Sequence, residues 1–381
     1  MTRIVKMFFE LVQVALGNRK ELTEIPSAEE WDVLYEIVGE QSVVGVLQAA
    51  LEKLPSEQRP YLNLLLEWIG TAQIVIAQNE QLDKRCLELI KRLEKAGIKA
   101  SILKGQGIAR YYDDLRMLRM PGDIDVFVDC GRKEAIEKAE SVGCGVESWD
   151  YKHAHLKIWE DTEVEMHYRV EIMFNLVKNR KLQKWFKAHQ DEIFCHTDKT
   201  GLTDKGKLVT PTVEFNVFYI LLHIYRHFFS EGVGLRQIMD YYFVLKALWE
   251  LKEVRGINRS AQGVNGHYLV AVKEFGMERF ANGLMWVMQE VMAMPKEWMP
   301  WEPDEKEGRY ILEQVMEGGD FGHYADHQKY NTGWLGYAKT LCRHSIHLMG
   351  HYPSEAIWGP VWMVWHKVWK LGHSGLVDLK N

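Results

Sequence analysis

The chain has 381 residues, 47% of them hydrophobic and 26% charged. That composition excludes disorder as the dominant state, and the length predicts two or three domains. A net charge of -6 argues against a protein that coats long nucleic acid. The five cysteines, Cys86, Cys130, Cys144, Cys195 and Cys342, are odd in number and contain no C-x-x-C spacing. They fit a reducing cytoplasm rather than a disulfide framework or a thiolate zinc site.

Taken in chain order, the first predicted element is helical. The opening "MTRIVKMFFELVQVALGNRK" carries its apolar residues on one helix face, is interrupted by Glu10 and Gln13, and has no small-residue cleavage site, so it reads as a helix rather than a signal peptide. Leu62 to Ala96 contains no proline and repeats Leu65, Trp68, Ile69, Ala72, Ile76, Leu82, Leu87 and Ile90 at helical spacing, with Gly97 as its stop. The pattern then changes. Ile98 to Leu103 reads as a strand, Gly105 to Tyr112 as a helix, Asp123 to Val128 as a strand and Arg132 to Val142 as a helix. Two strands, His153 to Trp159 and Glu163 to Val170, follow around the polar turn Glu160-Asp161-Thr162. Beyond Pro211 the chain is helical again, with Phe215 to Phe229 and Leu235 to Leu251 strongly apolar and a polar break from Arg255 to Gly266. Phe215 to Tyr225, the longest apolar run, is too short to cross a bilayer. Trp358, Trp362, Trp365 and Trp369 share one helix face, most simply a core face. The expected fold is α+β, a small mixed-sheet core (96–205) between an N-terminal helical region (1–95) and a C-terminal helical domain (206–381).

Within Gly122-Asp123-Ile124-Asp125-Val126-Phe127-Val128, residues two apart share a strand face, so Ile124, Val126 and Val128 point into a core and Asp123 and Asp125 point away from it together. Carboxylates so close repel, and a hard divalent cation removes that cost. A solvated strand face is the simpler account of an isolated D-x-D. The surroundings favour the cation. Lys104-Gly105 stands at a strand-to-helix junction, where amide N–H groups and a lysine suit phosphate oxygens. Glu163, Glu165 and His167 share one face of a strand that can bring a third acid to the pair. Strand, glycine turn, helix, D-x-D strand and a third acid form the layout of two-metal nucleotidyl transfer.

The segment "LKGQGIARYYDDLRMLRMPGDIDVFVD" resembles the uncharacterised bacterial nucleotidyltransferase family of the DNA-polymerase-β-like superfamily. "VEMHYRV" resembles that family's acid-aliphatic-histidine-aromatic strand, and "LLHIYRHFFSEGVGLRQIMDYYFVL" its histidine-rich helix with glycine-leucine-arginine and aspartate. The resemblance covers about residues 95 to 250. It implies metal-binding and catalytic carboxylates at Asp123, Asp125 and Glu165, with Mg2+ or Mn2+ as the ion and an NTP such as ATP as substrate. Lys104-Gly105-Gln106 departs from the superfamily's glycine-serine pair, which leaves the lysine as a point charge for phosphate.

Arg116 and Arg119 precede the D-x-D strand and read either as triphosphate contacts or as surface residues. Arg236 either pairs with Asp240 four residues on or closes the nucleotide cleft. His223 and His227, His323 and His327, and His347 and His351 are spaced by four as zinc ligands can be, and His153 and His155 share a strand face, but hydrogen-bonded, partly buried histidines are the simpler account. The expected activity is transfer of an NMP to the hydroxyl of a small molecule or protein, by a cytoplasmic enzyme with no membrane segment. Lys104, Gly105, Arg119 and Arg236 are the expected nucleotide contacts. An inactive binding or scaffold protein is the first alternative. A metal-dependent phosphohydrolase is the second, favoured if the histidine pairs converge on the acids.

Overall fold

The computed structural model describes residues 2–196, 208–230, 232–254, 266–318, 346 and 348–373. Helix α1 (Arg3–Ala15) is capped by the Thr2 hydroxyl and buries Phe8, Leu11, Val12 and Ala15. Helix α2 (Ala28–Glu40) opens on a reciprocal Ser27–Glu30 capping box. Helices α3 (Val44–Lys53) and α4 (Leu62–Lys95) follow. The 34 residues of α4 run about 50 Å at the usual helical rise, and Gly97 ends the helix at a positive φ of 68° that suits glycine.

The sheet contains β1 (Ala100–Ile102), β2 (Ile124–Val128), β3 (Gly145–Trp149), β4 (His153–Lys157) and β5 (Val164–His167), in the spatial order β1-β2-β5-β4-β3. Only β2 and β5 run parallel; the other pairs are antiparallel. Strand β3 was not anticipated. It is an edge strand whose Gly145, Glu147 and Ser148 are exposed, so it lacks the apolar alternation that betrays a strand. The expected helix after Gly105 also differs. Helix α5 (Gln106–Ala109) is a single turn, and Asp113, with a φ of +48°, opens a 3-10 stretch that runs to Leu118.

One sheet face presents Ile124, Val126, Val128, Ala154, Leu156, Val164 and Met166 to α4 and to α6 (Arg132–Ser141), forming one core. Helix α7 (Leu176–Ala188) and the short pair β6 (Cys195–His196) and β7 (Val209–Thr210) lead to the C-terminal helices. These are α8 (Val213–Phe228), α9 (Leu235–Val254), α10 (Gly266–Glu274), α11 (Glu278–Met292), α12 (Glu305–Gly318) and α13 (Pro353–Leu371). Helix α8 is buried almost all round, as its uninterrupted apolar sequence requires. It belongs to a second, larger core that also takes in α1, α3, α9 and α11. On α13 the tryptophan stripe does pack inward: Trp362, Trp365 and Trp369 meet Tyr151 edge to face. Among the described residues, no helix is long and apolar enough to cross a membrane.

Candidate active site

The alternation of β2 puts Asp125 on the face opposite its aliphatic neighbours, and the parallel register sets Asp125 beside Glu165 and Phe127 beside His167. Strand β4 continues the row, with His155 opposite Glu165 and His153 opposite His167. Asp123, just before β2, completes the acid group. One carboxylate oxygen from each of Asp123, Asp125 and Glu165 lies within 4.8 Å of the others. Glu163, the alternative third acid, is exposed and precedes β5.

The three acids are not alike. Asp125 is 1% exposed, with Lys104 Nζ 2.9 Å and His167 Nε2 2.8 Å from its Oδ1. Burial works against its charge, but the lysine and the histidine outweigh burial and hold the carboxyl below its ordinary range. Glu165 Oε2 lies 3.1 Å from His167 Nε2, and Glu165 too is held low against burial, by His167, Lys152 and His153. Asp123 is pushed up to about 6, first by burial and then by the charge of Asp125. The expected mutual repulsion is therefore concentrated on Asp123. Asp125 is ion-paired: Leu103 N–H donates to the Asp125 carbonyl and so seats Lys104 directly beside that side chain.

Lys104 and Gly105 follow the end of β1 at the start of α5, beside the acids. Gly105 has φ 53° and ψ -113°, a region open mainly to glycine, and a Cβ there would sit 3.3 Å from the Asp123 carbonyl oxygen. Lys104, Gly105, Arg119, Gly122, Asp123, Asp125, His223, Arg236 and Asp240 line one narrow cleft between the sheet and helices α8 and α9. Arg119 is buried in a two-pronged pair with Asp240, Nε to Oδ1 at 2.7 Å and the second prong at 2.8 Å, and Tyr112 donates its hydroxyl to the same carboxylate at 2.7 Å. Arg236 is in the cleft wall, where its charge favours the ionised form of Asp123. Arg116 pairs instead with Asp83 on α4.

A second buried charge group escaped the sequence reading. Glu171, fully buried, meets Lys152 Nζ at 3.5 Å, His223 Nδ1 at 3.1 Å and Arg226 Nε at 3.6 Å. Burial opposes its charge, yet Lys152, His223 and Arg226 hold it well below the usual range. Its members come from three separated segments, and the signal available was His223 and Arg226 on one apolar helix with no solvent-facing side. His223 is thus a hydrogen-bonded buried histidine; His323, His327 and His347 lie outside the described residues.

The acid group fits a hard divalent cation. Its donors are carboxylate oxygens gathered within 4.8 Å, and Asp123 is raised by burial and then by the charge of Asp125, a repulsion that a cation would relieve. A family model described as "Uncharacterised nucleotidyltransferase" matches residues 27–293, well over half of the chain, and the chain belongs to that family. Comparison with curated proteins and with solved structures gives no match.

Proposed function

From membership in a nucleotidyltransferase family and the geometry of the acids, we propose that the protein transfers an NMP from an NTP to an acceptor hydroxyl by a two-metal mechanism. The observation that carries this reading is the meeting of Asp123, Asp125 and Glu165, from two parallel neighbouring strands, within 4.8 Å. These residues would hold Mg2+ or Mn2+, which when bound supplies charge neutralisation for the triphosphate and the acceptor oxygen. The acceptor oxygen attacks the α-phosphorus, the bond from that phosphorus to the bridging oxygen breaks, and pyrophosphate leaves with the electron pair. A cation held there would lower the pKa of the acceptor hydroxyl, so that its proton can pass to water. Lys104, Gly105 and Arg236 line the cleft, and an ammonium, a backbone amide and a guanidinium there would suit phosphate oxygens. Arg119, expected as a nucleotide contact, lines the same cleft and is held there by Asp240, tying the segment before β2 to α9.

Incubation with Mg2+ and NTP labelled at the α- or the γ-phosphate tests the reaction. Transfer of the α-label to cellular small molecules or protein is expected. Transfer of the γ-label alone indicates a kinase, and release of inorganic phosphate alone supports a phosphohydrolase; either sinks the proposal. NTP binding without any of these supports the scaffold alternative.

A further inference from the structure

Beside the hard-cation group stands a histidine cluster that nucleotidyl transfer by carboxylate-bound Mg2+ leaves unused. His153 and His155 of β4 face His167 and Glu165 of β5 as a two-by-two block on the same sheet face. His153 Nε2 lies 3.2 Å from His155 Nε2 and 3.6 Å from Glu165 Oε1, and Glu165 Oε2 lies 3.1 Å from His167 Nε2. Ligand atoms from His153, Glu165 and His167 lie within 4.8 Å of one another. Nδ1 of His153 and Nδ1 of His167 are buried with no hydrogen-bond partner among the described residues, so each ring engages the protein through Nε2, and that of His167 lies between Glu165 and the Asp125 Oδ1 at 2.8 Å.

We propose that His153, Glu165 and His167, with His155 as the neighbour that supports His153, form a second metal site that takes a borderline transition-metal ion such as Zn2+ or Fe2+, adjacent to the Asp123–Asp125 site and sharing Glu165 with it. The donor set carries the distinction. Imidazole nitrogens suit borderline ions, whereas Mg2+ prefers oxygen alone. Metal–ligand bonds of about 2.0–2.1 Å place neighbouring ligand atoms about 3.0–3.4 Å apart; the 3.1 Å between Glu165 and His167 lies in that range and the 3.6 Å between His153 and Glu165 just beyond it. Glu165 is placed to bridge, with Oε1 toward His153 and Oε2 toward His167.

The test is titration of chelator-treated protein with Co2+, read by its visible ligand-field bands, with Zn2+ and Mg2+ as competitors. Wild type is expected to bind one Co2+ in a nitrogen-rich site from which Zn2+, and not Mg2+, displaces it. His155→Gln and His153→Gln are expected to weaken binding by more than about tenfold, as loss of a ligand does at least as strongly as loss of its supporting shell. Asp123→Asn, which touches the carboxylate site alone, is expected to retain the bands. X-ray absorption at the zinc edge of the wild-type complex, which needs no variant, is expected to show imidazole scattering. Absence of Co2+ bands in the wild type overturns the proposal, as does equal affinity in wild type and both histidine variants, or loss of binding in Asp123→Asn. None of these outcomes bears on α-label transfer, so this proposal and the nucleotidyl-transfer reading fail separately.

Discussion

Asp123→Asn is expected to make the metal-free protein more stable at neutral pH. The carboxyl sits at about 6 against an ordinary 3.8, so about two units separate the folded from the unfolded protein. At about 1.4 kcal/mol per unit, ionising Asp123 costs the fold roughly 3 kcal/mol. The sign follows from the direction. An acid raised by folding holds its proton longer in the folded state, so wild-type stability is highest below about pH 4, falls between about 4 and 6, and stays reduced above. Asparagine cannot ionise and removes that fall. Thermal melts in chelator from pH 4 to 8 should give coincident curves at the acid end and a variant that melts a few degrees higher at pH 7.5, at the roughly 2 °C per kcal/mol of large domains. The same variant should lose the Mg2+-NTP shift, because a hard cation needs anionic oxygen. A variant no more stable than wild type at pH 7.5 would refute unbalanced charge at Asp123.

Three further substitutions probe the surroundings. Asp125→Asn should lower metal-free stability, by an amount approaching the roughly 3–5 kcal/mol of a broken buried pair, because Lys104 loses its 2.9 Å partner; denaturant titration measures it. Asp240→Asn should cost about 3 kcal/mol or more, because the buried Arg119 guanidinium loses its counter-charge and its second prong meets an amide NH2 in place of an oxygen, and Arg119→Met in the same chain should recover part of that in a double-mutant cycle. Gly45→Ala should cost about 1–3 kcal/mol, since its Cβ would lie 2.2 Å from the Leu118 carbonyl oxygen and drive α3 from the turn that carries Arg119, lowering the melting temperature.

What could be read from the sequence was local. The D-x-D faces followed from the period of a strand, whereas the choice of Glu165 over Glu163, which share a face in that period, came from the family resemblance. Gly105 declared itself as a junction glycine. Long-range pairing was not legible in the same way. Arg119 and Asp240 are 121 residues apart, and nothing in either neighbourhood selects the other, whereas Asp240's own helix offers Arg236 at a spacing that sequence reading favours. Glu171 looks like an ordinary polar residue until α8 closes over it with His223 and Arg226. Strand β3 was invisible because an edge strand with one exposed face of Gly145 and Glu147 needs no apolar rhythm. The histidines on β4 were seen to share a face, but only the antiparallel register with β5 shows that the face is that of the acids.

Lys104 is where these two kinds of information meet, and Lys104→Met separates its two roles. As a phosphate contact, the lysine matters only when NTP is present. As the partner of Asp125, it matters in the metal-free protein, where its own charge is favoured by Asp125, Asp123 and Glu165 against the cost of burial. Methionine keeps much of the stem's packing and removes the charge. The Asp125 carboxyl then loses the strongest influence holding it down against burial and rises, so stability at neutral pH falls while stability at low pH, where the acid is protonated in both states, changes little. A divalent cation supplies the missing positive charge, so Mg2+ alone should raise the melting temperature of the variant by more than it raises that of wild type. NTP added on top of Mg2+ should then give a smaller further shift than in wild type if the ammonium also meets phosphate. An unchanged metal-free melting temperature together with an unchanged response to Mg2+ would show that Lys104 does not balance Asp125, and a normal further shift with NTP would remove it from the phosphate site.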